Sequence, residues 1–234
     1  MEATLAAIER GDAMIKYEGA LNEQDADVLM LALQECKTLN QLDLSCGTIA
    51  PATVARLASA LEKLTTLVVL FLDGNGITDA GATALASALP KCTSLEILFL
   101  ANNKITDVGV SALAKAFEMP TTAVMWLNLT SNQITDVGAA AMASALKKST
   151  TMTRLTIALN EITDVGAAAL ASAVDTATME VLHVFGPRVT EAGQRAVDRA
   201  LRRSKARRAL LGVVDLLQKD GDHALAWRVA RFLV

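Results

Sequence analysis

The sequence has few aromatic residues, few cysteines and no long uncharged apolar segment. Only 3% of its 234 residues are aromatic, and it contains three cysteines and two histidines. This composition excludes a disulfide-rich fold and leaves little scope for metal chemistry. No segment approaches the roughly 18 apolar residues of a membrane-spanning helix, and the amino terminus carries Glu2, Glu9 and Asp12 in place of the basic start of a secretory signal. We therefore predict an intracellular, cytoplasmic protein without a membrane span.

Alanine and leucine are abundant, and charge is unevenly distributed. The chain has 42 Ala and 34 Leu, and 52% of its residues are hydrophobic, which is typical of a folded protein. Residues 1–187 contain 11 basic and 20 acidic residues, whereas residues 188–234 contain 11 basic and 5 acidic ones. An acidic body followed by a basic tail predicts either a cap with a charged outer face or a contact site.

The pattern L-x-x-L-x-L-x-x-N-x-I recurs along the chain. Six copies begin 27 to 29 residues apart, at Leu39, Leu67, Leu95, Val124, Met152 and Met179, and the first and last are degenerate. Alternating leucines predict a short strand with one buried face. The sequence Thr-Asp-x-Gly and a later apolar i, i+4 pair predict a capped helix. Stacked strand–helix units predict an α/β solenoid with a parallel concave sheet and convex helices.

The repeat length and the wording N-x-I-T-D-x-G-A resemble the ribonuclease-inhibitor class of leucine-rich repeats, which is also found in intracellular NLR receptors and in the Ran GTPase-activating protein. The resemblance covers residues 39–203 and implies a horseshoe-shaped leucine-rich repeat solenoid. Proteins that carry similar repeats bind many unrelated partners, so the resemblance implies protein binding without identifying a partner.

The two ends of the chain depart from the repeat. Residues 1–38 are predicted to form an amino-terminal capping half-repeat, because Leu21, Leu29 and Leu33 match a repeat's helix while no convincing strand precedes them. Residues 39–203 hold the six repeats. Residues 204–234 are predicted to form a helical hairpin that caps the carboxy-terminal end, with helical spacing of apolar residues on both sides of Gly221.

No catalytic set is evident in the sequence. It has no phosphate-binding loop, no paired metal-ligand motif and no nucleophile–base pair, so we predict a protein that is not an enzyme and needs no cofactor or metal. Cys36 and Cys92 occupy positions equivalent to Leu64 and are predicted to be buried. The repeated Thr-Asp pairs are interpreted as helix caps and not as a calcium site.

The outward positions of the predicted strands carry an unusual number of apolar residues. Four of the eight aromatic residues lie there, which would create a patch of the size that usually marks a binding surface. The predicted concave partner-binding site comprises Val69, Phe71, Asp73, Ile97, Phe99, Trp126, Asn128, Arg154, Thr156, His183 and Phe185. Burial in a homodimer, or cover by the protein's own tail, are the alternatives for this patch.

A second candidate site is a basic cluster in the tail, comprising Arg202, Arg203, Lys205, Arg207 and Arg208. With the amphipathic segment that follows, it could bind an acidic protein, a membrane surface, calmodulin or nucleic acid. The interpretation we favour is a solvated outer face of the cap. No aromatic residue interrupts the basic run, which argues against nucleic acid.

Taken together, these patterns predict a non-enzymatic scaffold that binds a protein partner on its concave face. One alternative is a regulator of a GTPase or another enzyme, similar to a GTPase-activating protein. Another is a cytoskeletal capping module similar to tropomodulin, whose carboxy-terminal domain also combines leucine-rich repeats with a final helix.

Overall fold

The computed structural model describes residues 1–17, 19–174 and 178–219, with seven parallel strands in one sheet in chain order. The strands are β1 (Met14–Lys16), β2 (Gln41–Asp43), β3 (Val69–Phe71), β4 (Ile97–Phe99), β5 (Trp126–Asn128), β6 (Arg154–Thr156) and β7 (Val181–His183). The helices are α1 (Glu2–Glu9), α2 (Glu23–Glu35), α3 (Pro51–Leu61), α4 (Asp79–Ala88), α5 (Asp107–Phe117), α6 (Asp136–Lys148), α7 (Asp164–Val174) and α8 (Glu191–Lys219). A short 3-10 helix, Leu89–Lys91, follows α4. The predicted α/β solenoid is confirmed.

The core follows directly from the repeat. The central leucine of each strand pairs in register with its equivalent on the next strand, as Leu70 does with Leu98 and Leu98 with Leu127. These leucines are buried, and so are the helical i, i+4 pairs such as Leu113 and Phe117. Because one apolar layer passes from repeat to repeat, the solenoid has a single continuous core.

A ladder of asparagine side chains joins neighbouring repeats, and we call it the asparagine ladder. The Asn103 amide nitrogen donates to the carbonyl oxygens of Leu72 and Leu100, both at 3.0 Å, while its Oδ1 accepts from the N–H groups of Asn75 at 3.1 Å and Ile77 at 2.9 Å. Asn132 and Asn160 make equivalent bonds one and two repeats further on. These buried amides satisfy backbone groups that water cannot reach.

A second ladder, the aspartate ladder, joins the helix starts. Asp107 accepts from the Thr135 N–H at 2.8 Å, the Thr135 hydroxyl at 2.6 Å and the Gly138 N–H at 2.9 Å. The Thr135 hydroxyl in turn accepts from the N–H of Val137, as the predicted cap requires. A Cβ at Gly138 would lie 2.5 Å from Asp107 Oδ1, so only glycine fits there. Each aspartate therefore lies at the start of its own helix and also accepts hydrogen bonds from the start of the helix in the next repeat.

The ends of the solenoid differ from what the sequence predicts. Strand β1 pairs with β2 in parallel, so residues 1–38 contribute a strand and two helices instead of a half-repeat without a strand. The expected boundary between residues 203 and 204 falls inside α8, which runs unbroken to Lys219. The predicted second helix of the hairpin lies outside the described residues. Among the helices that are described, none is both long and apolar enough to cross a membrane.

Candidate protein-binding surface

The outward positions of strands β3 to β5 bring three aromatic rings into one row, which we call the aromatic row. The Phe71 and Phe99 ring centroids are 5.0 Å apart at an interplanar angle of 78°, and Phe99 and Trp126 are 4.9 Å apart at 74°. Both pairs have the edge-to-face geometry that aromatic rings favour. The rings are half-buried and stand on the sheet face opposite the buried leucines. Val69 and Ile97 flank them, so the predicted apolar patch is present on these strands.

Arg154 closes the row at its carboxy-terminal side. Its guanidinium lies 5.5 Å from the centroid of the Trp126 ring, within the range of a cation–π contact. The same group lies 3.8 Å from a carboxylate oxygen of Glu180. Two contacts therefore hold the exposed arginine against the indole, and the row ends in a positive charge.

The amino-terminal side of the row is acidic. Asp73 Oδ1 accepts from the Ala101 N–H at 2.6 Å, and Asp43 Oδ1 accepts from the Ser45 N–H at 2.9 Å. Burial raises the pKa of the Asp73 carboxyl, the bond from Ala101 lowers it, and the charge of Asp43 raises it further, with an overall increase. These carboxylates position loops as well as lining the patch.

The remaining predicted concave residues fall into two groups. Asn128 and Thr156 lie beside the row, and Asn128 uses its Oδ1 to accept from the Thr130 N–H at 3.0 Å. His183 and Phe185 are both exposed and lie with their ring centroids 6.4 Å apart. Strand β6 separates them from Trp126, so the structure makes them a separate, smaller cluster.

Residues just before the strands also line this surface, and the strand pattern alone did not include them. A cavity of about 160 Å³ beside Trp126 is lined in part by Glu96, Met125, Thr153 and Glu180. Met125 is an exposed large apolar residue that directly precedes β5. An apolar residue next to the predicted strand was the only available sequence signal.

The basic cluster lies on α8, away from the aromatic row. Arg202, Arg203 and Lys205 are exposed and make no ion pair with any described residue. Arg208 is half-buried and donates to the carbonyl oxygen of Met179 at 2.9 Å. The cysteines follow the expected pattern, with Cys36 and Cys92 buried. Within the described ranges, no group of three histidine, cysteine or acidic residues is arranged to hold a metal ion.

Comparisons with known proteins point to one repeat family. A leucine-rich repeat model covering two copies matches residues 57–115, and a single-repeat model matches residues 127–143 and 148–171. No curated protein sequence gives a match. Among solved structures, the tropomodulin C-terminal domain of Caenorhabditis elegans is 17% identical, with a TM-score of 0.52 over 68% of this chain and 98% of that chain.

Two other structures show weaker likeness. The leiomodin-1 actin-binding site 2 is 16% identical with a TM-score of 0.45, covering 93% of this chain and 96% of that one. The PEPR1 chain in the PEPR1–AtPEP1 complex is 17% identical with a TM-score of 0.40, covering 79% of this chain and 23% of that one. At these identities, the tropomodulin comparison concerns the fold alone.

Proposed function

We propose that this chain, a leucine-rich repeat solenoid, is a non-enzymatic scaffold that binds a protein partner through the aromatic row on its concave face. The observation that carries the proposal is the contact of Phe71, Phe99 and Trp126 on the open face of the sheet. The core closes without these rings, because the leucines on the opposite face are fully buried. Three half-buried aromatic residues in one row on the open face of the sheet have no role in the core that would explain them.

The row is already arranged for binding. Each ring is held by its neighbour and by a strand within a parallel sheet, so little side-chain freedom remains to be lost on association. Large aromatic residues near the centre of an interface usually carry most of the binding energy. A matching partner surface would present an apolar ridge, with a basic group towards Asp43 and Asp73 and an acidic group towards Arg154.

Two finer assignments belong to the same proposal. The repeats are of the ribonuclease-inhibitor class, which is supported by their spacing of 27 to 29 residues and by a helix in each of the central repeats. The protein is intracellular and cytoplasmic, which is supported by three cysteines that are all unpaired.

Fewer observations support the other functions that the sequence predicts. Regulation of a GTPase is supported only by the resemblance of the repeats. Capping of actin filaments is supported by the shared fold of the tropomodulin domain, at an identity that assigns no contact residue. Actin co-sedimentation with wild type and Trp126→Ala would test the second alternative directly, since specific binding through this face requires a difference between them.

The main test is capture of partners from the source cell with the immobilised full chain. We expect Phe99→Asp and Trp126→Ala to reduce the captured partner by at least about tenfold, since removal of such an aromatic residue typically costs 2 kcal/mol or more. Val165→Asp is the matched control, because Val165 is 71% exposed on α7 and lies outside the patch. The three variants should keep the wild-type melting curve.

Three results would count against the proposal. Equal capture by wild type and Phe99→Asp would remove the concave face as the binding site. Unfolding of both aromatic variants would mean that the row belongs to the core. Loss of a dimer in light scattering, without loss of any other partner, would assign the patch to self-association.

A further inference from the structure

The amino-terminal end of the solenoid carries an apolar groove with an acidic rim, which we call the head groove. It lies between α1 and α2, has a volume of about 370 Å³, and is lined by Leu5, Ile8, Val28 and Leu31 with Glu9 and Glu35 beside them. Leu31 is 73% exposed and Val28 is 46% exposed. Exposed branched side chains beside a concave apolar surface are typical of a site for a helix.

The rim of the head groove carries negative charge from Glu9 and Glu35, and the segment that forms it is acidic overall. Residues 1–38 contain eight acidic and three basic residues. Of these, Glu9 and Glu35 line the groove and are exposed, whereas Asp27 is paired with Arg56. A helix that enters the groove would therefore bind best if it carried basic residues beside its apolar ones.

The opposite end of the molecule has such a helix. From residue 199 to residue 211, α8 contains six basic residues and no acidic ones. Its described apolar side chains in this part include Leu210, which is half-buried, and Leu211, which is 45% exposed. In sequence, Leu210 begins an apolar pattern at helical spacing that continues to residue 217.

The outer face of α8 leaves this part accessible. With 29 residues, α8 is 18 residues longer than α7, which corresponds to about 27 Å of additional helix. Gly193, Val197, Ala200 and Ser204 are buried where α8 packs on α7, whereas Arg202, Arg203, Lys205 and Ala206 are exposed. The basic half of the helix thus lies on the last repeat through Ser204 and Arg208, and its outer face presents Arg202, Arg203 and Lys205.

We propose that the head groove binds the basic half of α8 from a second copy of this chain, so that the protein associates head to tail. The two surfaces are complementary in charge and in apolar content, and both lie on the same polypeptide. They cannot meet within one molecule along the described helix: five helices, α3 to α7, lie between α2 and α8. Packed helices lie about 10 Å apart, so the two surfaces are separated by roughly 60 Å along the solenoid.

The head-to-tail arrangement has a definite consequence for assembly. The interface uses two different surfaces, so each bound copy leaves one free groove and one free helix. The complexes therefore form an open series of dimers, trimers and longer species that grows with concentration. The head groove shares no residue with the aromatic row, so this inference and the proposed function can fail separately.

Sedimentation equilibrium of the full chain tests the proposal, from about 1 µM to about 1 mM, the range in which weak interfaces form. We expect the mean mass to rise with protein concentration and to fall when salt is added, because screening weakens exposed charge pairs. Leu31→Asp should raise the protein concentration at which half of the chains are associated by at least about tenfold. Val165→Asp is the matched control, since Val165 is 71% exposed but lies on α7.

A mixing experiment identifies the geometry of the interface. Leu31→Asp blocks the groove and leaves α8 intact, while Arg202→Glu with Arg203→Glu blocks α8 and leaves the groove intact. Each variant alone should be monomeric, and an equal mixture should form a dimer that does not grow further. A symmetric interface would show no such recovery.

Four results would overturn the inference. They are a monomeric wild type over the whole concentration range, an unchanged mass for Leu31→Asp, the same loss of mass for Val165→Asp, and no dimer in the mixture. If α8 instead serves a lipid surface, the chain will remain monomeric and will sediment with phosphatidylserine vesicles in a manner that depends on Arg202 and Arg203.

Discussion

The central repeats and the first repeat are joined to their neighbours in different ways. From β3 to β6, each repeat is linked to the next through both the asparagine and the aspartate ladders. The first repeat has Gly47 where the next four repeats have asparagine, and Ala50 and Pro51 where those four have threonine and aspartate. At this junction Asn75 Oδ1 is buried without a donor and Thr78 makes no side-chain cap bond. Of the two ladders, the junction keeps the bond from the Asn75 amide nitrogen to the Leu44 carbonyl at 2.8 Å.

The difference shows what the polar repeat positions contribute. The apolar core continues through all the repeats, so it does not distinguish the first junction from the others. In a solenoid, each repeat is stabilised mainly by its immediate neighbours. The junction that has an incomplete asparagine ladder and no aspartate ladder is therefore where we expect the structure to open first, and amide hydrogen exchange should be fastest from β1 to α3.

The largest expected effect comes from removing a core leucine in the centre. Leu127 is fully buried, so Leu127→Ala should lower the free energy of unfolding by about 2–5 kcal/mol, as should Leu98→Ala. Thr130→Ala lies in the same repeat and should change it by no more than about 0.5 kcal/mol. Urea midpoints measure both effects, and equal midpoints would mean that the repeat register is wrong.

A smaller effect compares the two junctions directly. Asn132→Ala removes bonds to the Leu100 and Leu129 carbonyls and leaves the buried N–H of Ile105 without an acceptor. This should cost about 2–3 kcal/mol. Asn75→Ala removes the bond from the amide nitrogen to the Leu44 carbonyl, but the Asn75 oxygen has no donor, so no buried N–H loses its acceptor. This substitution should cost about 1 kcal/mol. If the two variants lose equal stability in urea, the contrast between the junctions has no energetic basis.

The sequence predicted the periodic part of the fold well. The alternating leucines were predicted to form the buried face, as Leu70, Leu98 and Leu127 do, and Trp126 and Phe99 were predicted on the open face. Both predictions were possible because strand alternation and repeat spacing are local properties. The contacts among the rings could not be predicted, since they depend on which neighbour each side chain meets across the sheet. His183 and Phe185 lie apart from the row for the same reason.

The ends were predicted less well because they break the pattern. Strand β1 contains a single buried residue, Ile15, between two exposed ones, and three residues give too short an alternation to identify. The boundary predicted between residues 203 and 204 lies inside α8, because residues 200–206 contain no glycine or proline that would end a helix. The second role of Asp107 was missed because its partners, Thr135 and Gly138, are about one repeat away in sequence.

The aspartate ladder gives a pH test of the central junctions. Burial by itself raises the pKa of Asp136, but bonds from the Thr163 hydroxyl and from the N–H groups of Thr163 and Gly166 outweigh it, so its pKa is lowered from 3.8. Its contribution to stability is therefore present above the unfolded pKa and is lost as pH falls through the folded one. We expect Asp136→Asn to be less stable than wild type at neutral pH, by up to about 1 kcal/mol for this partly exposed group.

Acid unfolding provides the check on this prediction. The difference in the free energy of unfolding between wild type and Asp136→Asn, measured in urea, should become smaller as the pH is lowered. Asp73 is the contrasting control, because its pKa is raised, mainly by burial. On acidification, the free energy of unfolding of wild type should therefore increase relative to that of Asp73→Asn. If the stability difference between wild type and Asp136→Asn instead increases in acid, the Asp136 carboxylate does not favour the folded state.

The smallest expected effect concerns the residue that lies three positions after each of the strands β2 to β6 and has a left-handed backbone conformation. These residues are Cys46, Gly74, Asn102, Ser131 and Leu159. Leu159 has a φ of 54° and its N–H donates to the Phe185 carbonyl at 2.8 Å, so the backbone must keep this conformation to bond the next repeat. A leucine in this conformation costs roughly 1–2 kcal/mol, while glycine costs about 0.5–1 kcal/mol in chain entropy.

Leu159→Gly should therefore stabilise the fold by about 0.5 kcal/mol, a rise of roughly 1–2 °C in melting temperature for a chain of this size. Gly74 is the natural counterpart, with a φ of 69° and its own N–H bonded to Ala101. Since an added Cβ there would meet its neighbours only at ordinary distances of 3.5 Å or more, Gly74→Ala should cost about 1 kcal/mol through backbone strain alone. Melting curves that move in the same direction for the two variants would mean that side-chain contacts, and not the left-handed backbone, determine stability at this position of the repeat.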